Sequence, residues 1–193
     1  MMKKACVFCA SSELVPKYYV DEARRLGERL ADEGWGLVYG GGSTGLMGAV
    51  ADAVLDRGGE VTGVIPRFMV EVEWQHKEVT DMRHTDDMSQ RKQMMIRISD
   101  AIIVLPGSTG TMDELFEAVS DKKLGLHNKP IVLLNSDGFF DATMAQLHLM
   151  VEKKFMTRRH LEVLSEAHDI DEVINFINSS QSEPINLADA KVR

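Results

Sequence analysis

The run Trp35-Gly36-Leu37-Val38-Tyr39-Gly40-Gly41-Gly42-Ser43-Thr44-Gly45-Leu46-Met47-Gly48 reads as strand, glycine turn and helix start in direct succession. Leu37-Val38-Tyr39 is apolar without polar alternation, the pattern of a strand covered on both faces. The small residues of 46–57 continue as a helix that Gly58-Gly59 closes. The same unit recurs on either side. Residues 5–10 read as a first strand, followed by a helix that Pro16 opens and Gly34 ends. Residues 61–65 form a third strand, stopped by Pro66; 87–99 look helical and 101–105 are a short continuous apolar strand. A helix over 111–124, a strand over 131–134 and a helix over 139–155 follow, with one last helix expected after Asp169. The stretch 67–85 is polar and carries no clear period, and 179–193 reads as a frayed tail. Strand and helix in strict turn imply right-handed crossovers and a doubly wound α/β fold, Rossmann-like, with a mainly parallel sheet and helices on both faces. No repeat or composition break divides the chain, so 1–193 reads as one domain.

Composition narrows the partners. The 193 residues carry 22 Lys+Arg against 30 Asp+Glu, a net charge of −8, which argues against a nucleic-acid partner. No apolar run approaches the ~18–20 residues that cross a bilayer, so no membrane partner is expected. The apolar stretch after Lys3-Lys4 is too short for a signal-peptide core, and with 2 cysteines a reducing, cytoplasmic setting is expected.

Open α/β sheets bind ligands at the carboxyl ends of their strands, which directs attention to the loops after Tyr39 and Leu105. The first contains G-x-G-x-x-G as Gly40, Gly42 and Gly45, between a strand and a helix, where backbone N–H groups can approach a phosphate. The bland alternative is a tight strand-to-helix turn. A dinucleotide site usually adds an acid about 20 residues on, at the end of the next strand. Here that strand ends Val64-Ile65-Pro66-Arg67, so NAD is disfavoured and a mononucleotide preferred. The second loop is Pro106-Gly107-Ser108-Thr109-Gly110-Thr111-Met112-Asp113-Glu114, another phosphate-type turn feeding a helix. Two such turns on one sheet edge are far more specific than either alone. Glu114 also admits a structural reading, because Thr111-x-x-Glu114 has the form of a capping box.

Met88-Ser89-Gln90-Arg91-Lys92-Gln93 opens the helix before the second loop. Cations in a first turn oppose the helix dipole, a small cost that a bound anion would offset. The ordinary reading of Arg91-Lys92 is a solvated basic pair.

These motifs together resemble the Lonely Guy family of cytokinin-activating enzymes, nucleoside 5′-monophosphate phosphoribohydrolases also labelled "possible lysine decarboxylase". The family's P-G-G-x-G-T-x-x-E stands here as residues 106–114 with Ser108 for the second glycine, and its M-H-x-R-K as 88–92 with Ser89 for histidine. Phe8-Cys9-Ala10-Ser11-Ser12, the 40–48 loop, Gly63-Val64-Ile65-Pro66 and Leu124-Gly125-Leu126-His127-Asn128-Lys129-Pro130 also match, in order, over roughly residues 3–155. The chain departs at Asp121 and Lys123, where the family carries an aromatic and an amide. The resemblance implies a catalytic pair, Arg91 and Glu114. It implies that Lys92, Gly107, Ser108, Thr109, Gly110 and Thr111, with Gly41, Gly42, Ser43, Thr44 and Gly45, hold phosphate and ribose. Glu73 and Ser120 match positions lining the nucleotide site. It further implies a homodimer with sites near the subunit interface, and no metal or organic cofactor. At Ser108 a side chain replaces glycine, which reaches positive φ more cheaply.

Other chemistries find little support. Cys6-x-x-Cys9 falls at odd separation in a strand, so its thiols should face opposite sides rather than form a redox pair. The six histidines are scattered without ligand spacing, and no lysine has a Schiff-base context. The expected activity is hydrolysis of the N-glycosidic bond of a purine nucleoside 5′-monophosphate to free base and ribose 5-phosphate. The alternative is a non-catalytic nucleotide- or cofactor-binding protein of the same fold, like the molybdenum-cofactor carriers, which would not need Arg91 together with Glu114.

Overall fold

A computed structural model describes residues 2–70 and 75–180. In chain order the elements are β1 (Lys4–Phe8), α1 (Lys17–Asp32), β2 (Gly36–Tyr39), α2 (Gly45–Asp56), β3 (Val61–Pro66), a 3₁₀ turn (Arg67–Met69) and β4 (Asp81–Thr85). There follow α3 (Met88–Arg97), β5 (Ala101–Val104), α4 (Thr109–Lys123), β6 (Ile131–Leu134), α5 (Asp141–Glu152), α6 (Arg158–Leu161), β7 (Ser165–Ala167) and α7 (Ile170–Ser179). The strands form one sheet in the order β4-β3-β2-β1-β5-β6-β7, every neighbouring pair parallel. The doubly wound architecture is as the alternation of apolar runs implies.

Two cores explain the continuous apolar strands. One packs Ala5, Val7, Leu37, Tyr39, Ala101 and Ile103 beneath α1, α2 and α7. The other packs Cys6, Phe8, Val38, Ile102, Val104 and Leu133 beneath α3, α4 and α5. Alternate residues of each strand thus serve opposite layers, and both sets are withdrawn from water. Fully burying a Val, Leu or Ile is worth about 1.5–3 kcal/mol, so central strands of this kind leave no room for polar residues.

The outer elements depart from the sequence reading. The unassigned stretch 67–85 contains the 3₁₀ turn and β4, whose Asp-Met-Arg-His-Thr wears charge as an edge strand does. The short α6 and the three-residue β7 carry too few residues to show a period. Of the expected frayed tail over 179–193, Ser179 closes α7 with Ser180 as its cap, and 181–193 lie outside the described residues.

Helices α1 and α2 cross where side chains are smallest. A Cβ on Gly27 would lie 2.5 Å from the Val50 carbonyl oxygen and 2.8 Å from the Ala53 Cβ. Neither neighbour can rotate away, because one is backbone and the other has no rotamer. Gly27→Val is therefore expected to cost about 1–3 kcal/mol by overpacking. In a chain of this size that is roughly 2–12 °C of melting temperature, to be read by thermal denaturation.

The crossover that positions the site lies between β1 and β5. The chain leaves β1 toward one layer and β5 toward the other, opening a crevice at their carboxyl ends. Its floor is stitched by the Leu105 amide donating to the Phe8 carbonyl (2.9 Å) and the Ala10 amide to the Pro106 carbonyl (3.2 Å).

Candidate active site

Helix α3 begins where Asp87 caps it, the carboxylate accepting the Gln90 amide at 2.8 Å. This start sets Arg91 in the first turn, facing the carboxyl ends of β2 and β3. Its Nε donates to the Val64 carbonyl (3.0 Å) and its Nη2 to the Gly40 carbonyl (2.7 Å). Nη1 lies 3.9 Å from Oε1 of Glu114, and the two residues are 2% and 4% exposed. Arg91 is therefore no solvated surface cation. Gly40 permits the approach, because a Cβ there would stand 2.2 Å from Nη2.

Glu114 comes from α4, which starts two residues earlier than the sequence suggests. Ser108 is the N-cap and Thr109 the first helical residue, so Thr111 is already buried inside the helix. The capping box therefore cannot form, since its threonine would have to precede the helix. Ser108 sits at φ −92°, ψ −163°, an extended conformation open to any L-residue, so the replacement of glycine carries no backbone strain here. Ser108, Thr109 and Gly110 are exposed. The first amides of an α-helix have no intrahelical acceptor, and the dipole places partial positive charge there. This end of α4 has the chemistry of an anion cradle.

Lys92 is also buried, and its ammonium is ion-paired with carboxylates of α4. Its ammonium meets Asp113 Oδ2 at 2.8 Å and Glu117 Oε2 at 2.5 Å. Burial alone would push Lys92 down, but the two carboxylates outweigh it and hold the ammonium above the usual lysine range. The residue ties α3 to α4, and so fixes the two helices that carry Arg91 and Glu114.

The first glycine loop is likewise occupied by protein. The amides of Leu46 and Met47, at the start of α2, both donate to the Ala10 carbonyl (3.0 and 3.2 Å). Thr44 Oγ1 donates to the Ser11 carbonyl at 2.7 Å. The Gly41 carbonyl accepts the His76 amide at 2.9 Å, and Gly42 bridges to Gln75 in antiparallel fashion. Gly45 packs against Ser11 and Ser12. Ser43 is exposed on the rim of an open cavity of about 710 Å³. The Gly41–Gly45 turn therefore buttresses the site by its backbone more than it offers α2 amides to a ligand. Ser120 is exposed on α4, about 240° around and ~9 Å along the axis from Glu114, so one chain does not set it beside that carboxylate. Glu73 lies outside the described residues.

A second cavity of about 270 Å³ occupies the β1–β5 crevice, lined by Ala10, Val15, Tyr19, Leu46, Ser108 and Phe139 among others. It shares Ser108 with the anion cradle. The cysteines are as their spacing implies: Cys6 lies in the core under α3, α4 and α5, and Cys9 in the core under α1 and α2. Both are free and buried, and burial, assisted by the Glu114 carboxylate, pushes both thiols up. Among the described residues no group of three or more His, Cys, Asp or Glu is placed to hold a metal, and no helix is long and apolar enough to cross a membrane.

Some participants carry no motif. The Gly40 and Val64 carbonyls that aim Arg91 are backbone atoms, although Gly40 is the first glycine of the G-x-G-x-x-G run. Asp113 and Glu117, which hold Lys92, stand one turn apart on α4 and could have been paired with it by charge.

A family profile described as "Possible lysine decarboxylase" matches residues 47–177. The chain is 43% identical over 165 residues to the probable cytokinin riboside 5′-monophosphate phosphoribohydrolase LOGL6 of Oryza sativa subsp. japonica, covering 84% of this chain and 66% of that protein. It is 40% identical over 172 residues to the cytokinin riboside 5′-monophosphate phosphoribohydrolase LOG3 of Arabidopsis thaliana, covering 89% and 80%. Among solved structures, the molybdenum cofactor binding protein of Rippkaea orientalis shares the fold with a TM-score of 0.71 at 20% identity, over 93% of this chain and 97% of that one. With a family profile over most of the chain and identities of 40–43% to these phosphoribohydrolases, the chain belongs to the Lonely Guy family.

Proposed function

We propose that this protein hydrolyses the N-glycosidic bond of a purine nucleoside 5′-monophosphate, of cytokinin or plain adenosine type, to free base and ribose 5-phosphate. The observation that carries this reading is the buried Arg91–Glu114 pair, held beside the exposed N-terminus of α4. Cleavage of a glycosidic bond passes through an oxocarbenium-like sugar. A carboxylate fixed near the anomeric carbon stabilises that positive charge and accepts a proton from the attacking water, and Glu114 takes this role. Arg91 is aimed by two carbonyls and supplies positive charge to the departing base or the phosphate without reorganising. The amides of Thr109, Gly110 and Thr111 and the Ser108 hydroxyl hold the phosphate, with Gly107 turning the chain into the cradle. Lys92 keeps α3 and α4 in register. Glu73 and Ser120 line the nucleotide site in this reading, and since Ser120 faces away from Glu114 in one chain, a homodimer with sites near its interface is part of the proposal. Action as a cytoplasmic enzyme without metal or organic cofactor completes it.

A non-catalytic carrier of nucleotide or cofactor could use the same fold, but it has no need of a buried guanidinium and carboxylate facing each other. Phosphate recognition gives the direct test. AMP or an N⁶-modified AMP is expected to release base at least a hundredfold faster than the matching nucleoside, assayed by chromatography of free base. Comparable rates from adenosine and AMP would remove the anion cradle from the mechanism.

A further inference from the structure

His76 is buried, at 6% exposure, and takes no part in the mechanism above. Its ring is fully committed. Nδ1 accepts the Glu78 amide at 3.2 Å, so the hydrogen of the neutral ring sits on Nε2, which donates to Asp52 Oδ1 at 2.9 Å. Asp52 projects from α2, and its side chain remains 47% exposed. The backbone of the same segment is docked on the glycine loop, the His76 amide on the Gly41 carbonyl and Gln75 bridged to Gly42. The peptide immediately before these contacts carries the Gly40 carbonyl that receives Arg91 Nη2 at 2.7 Å.

We propose that His76, anchored by Asp52, is a positioning residue for the reaction: it clamps the segment around Gln75 and His76 onto the glycine loop and thereby fixes the carbonyl that aims Arg91. The inference rests on the proposed hydrolysis for its catalytic consequence, while the clamp itself does not. Gly40, Gly41 and Gly42 are three consecutive glycines, the least constrained run a chain can have, and restraint must come from outside. The antiparallel bridge of Gln75 to Gly42, closed by the His76 amide on the Gly41 carbonyl, provides it, and the side-chain bond to Asp52 holds that bridge to a rigid helix. Misplacement by about 1 Å at a remove from the chemistry can cost around 10²-fold in rate, so a loosened Gly40 carbonyl has a measurable effect on turnover.

The test compares His76→Leu, His76→Gln and Asp52→Ala with the wild type. Glutamine retains an N–H that reaches Asp52, and Asp52→Ala breaks the same bond from a half-exposed position that tolerates truncation. Under native conditions, amide exchange at 41–42 and 75–78 should rise at least tenfold in His76→Leu and Asp52→Ala. With AMP as substrate, kcat should fall about tenfold or more with KM within threefold, and His76→Gln should recover both readouts to within threefold of the wild type. Unchanged exchange in both disrupted variants overturns the clamp. Faster exchange with unchanged kcat overturns its link to Arg91, and a glutamine variant as impaired as the leucine one overturns the Nε2–Asp52 bond as its anchor. A wild-type protein that releases no base from any nucleoside monophosphate defeats the functional reading and the catalytic half of this inference with it; the exchange arm, which needs no substrate, still decides the clamp.

Discussion

Glu114→Gln should give a folded protein whose release of base from nucleoside 5′-monophosphate is lower by about 10²–10⁴-fold, or roughly 3–5 kcal/mol of transition-state stabilisation. The substitution keeps the shape of the side chain and removes both the negative charge facing the developing oxocarbenium and the base for the water proton. Arg91 keeps its hydrogen bonds to the Gly40 and Val64 carbonyls, which hold it in place without the carboxylate. The stability loss is then that of one charged partner in a buried pair, about 1–3 kcal/mol. Rates measured well below the melting temperature, alongside nucleotide binding by calorimetry, separate the two effects. Because Thr111 lies inside α4, no capping role remains to explain this glutamate. Near-wild-type turnover in Glu114→Gln would remove it from the chemistry and move the binding-protein reading ahead.

Arg91→Ala should act on both stability and activity. It leaves a buried carboxylate without its cation and strips two buried carbonyls of their donors. Removing one partner of a buried ion pair typically costs about 3–5 kcal/mol. In a chain of this length that lowers the melting temperature by roughly 6–20 °C, and activity should fall below detection even at temperatures where the variant is folded. Weakened binding of the nucleotide in the folded variant would assign the guanidinium to the phosphate; unchanged binding would assign it to the leaving base. A variant with wild-type melting behaviour would contradict the hydrogen bonds seen at this residue.

The order of these elements was legible because each central strand is a short apolar run bounded by a loop. What the sequence hid lies at the edges. β4 alternates charge and bulk because it faces solvent beyond β3, and β7 is only Ser-Glu-Ala. Neither has the continuous hydrophobicity that announced β2 and β5. In the site, Arg91 and Glu114 could be named through the family resemblance that their motifs carry, and the fold brings them together. The surroundings could not. That the Ala10 carbonyl takes the α2 amides, or that Gly40 and Val64 hold the arginine, depends on backbone atoms that every residue type possesses. The His76–Asp52 bond joins positions 24 apart, Asp52 on α2 and His76 between β3 and β4, where no period relates them. Lys92 shows the same limit: its place beside a glycine loop suggests a phosphate, while the ion pairs to Asp113 and Glu117 depend on how α3 packs against α4.

The placement of the two cysteines has a practical consequence. Cys6 and Cys9 lie three residues apart yet beneath different helical layers, each sealed from solvent. Thiols so buried react with a labelling reagent only when the structure over them opens. The chain therefore carries one intrinsic chemical clock for each side of its sheet. Equal labelling of both would signify whole-molecule unfolding, and early labelling of Cys6 alone would signify detachment of the layer that bears Arg91 and Glu114.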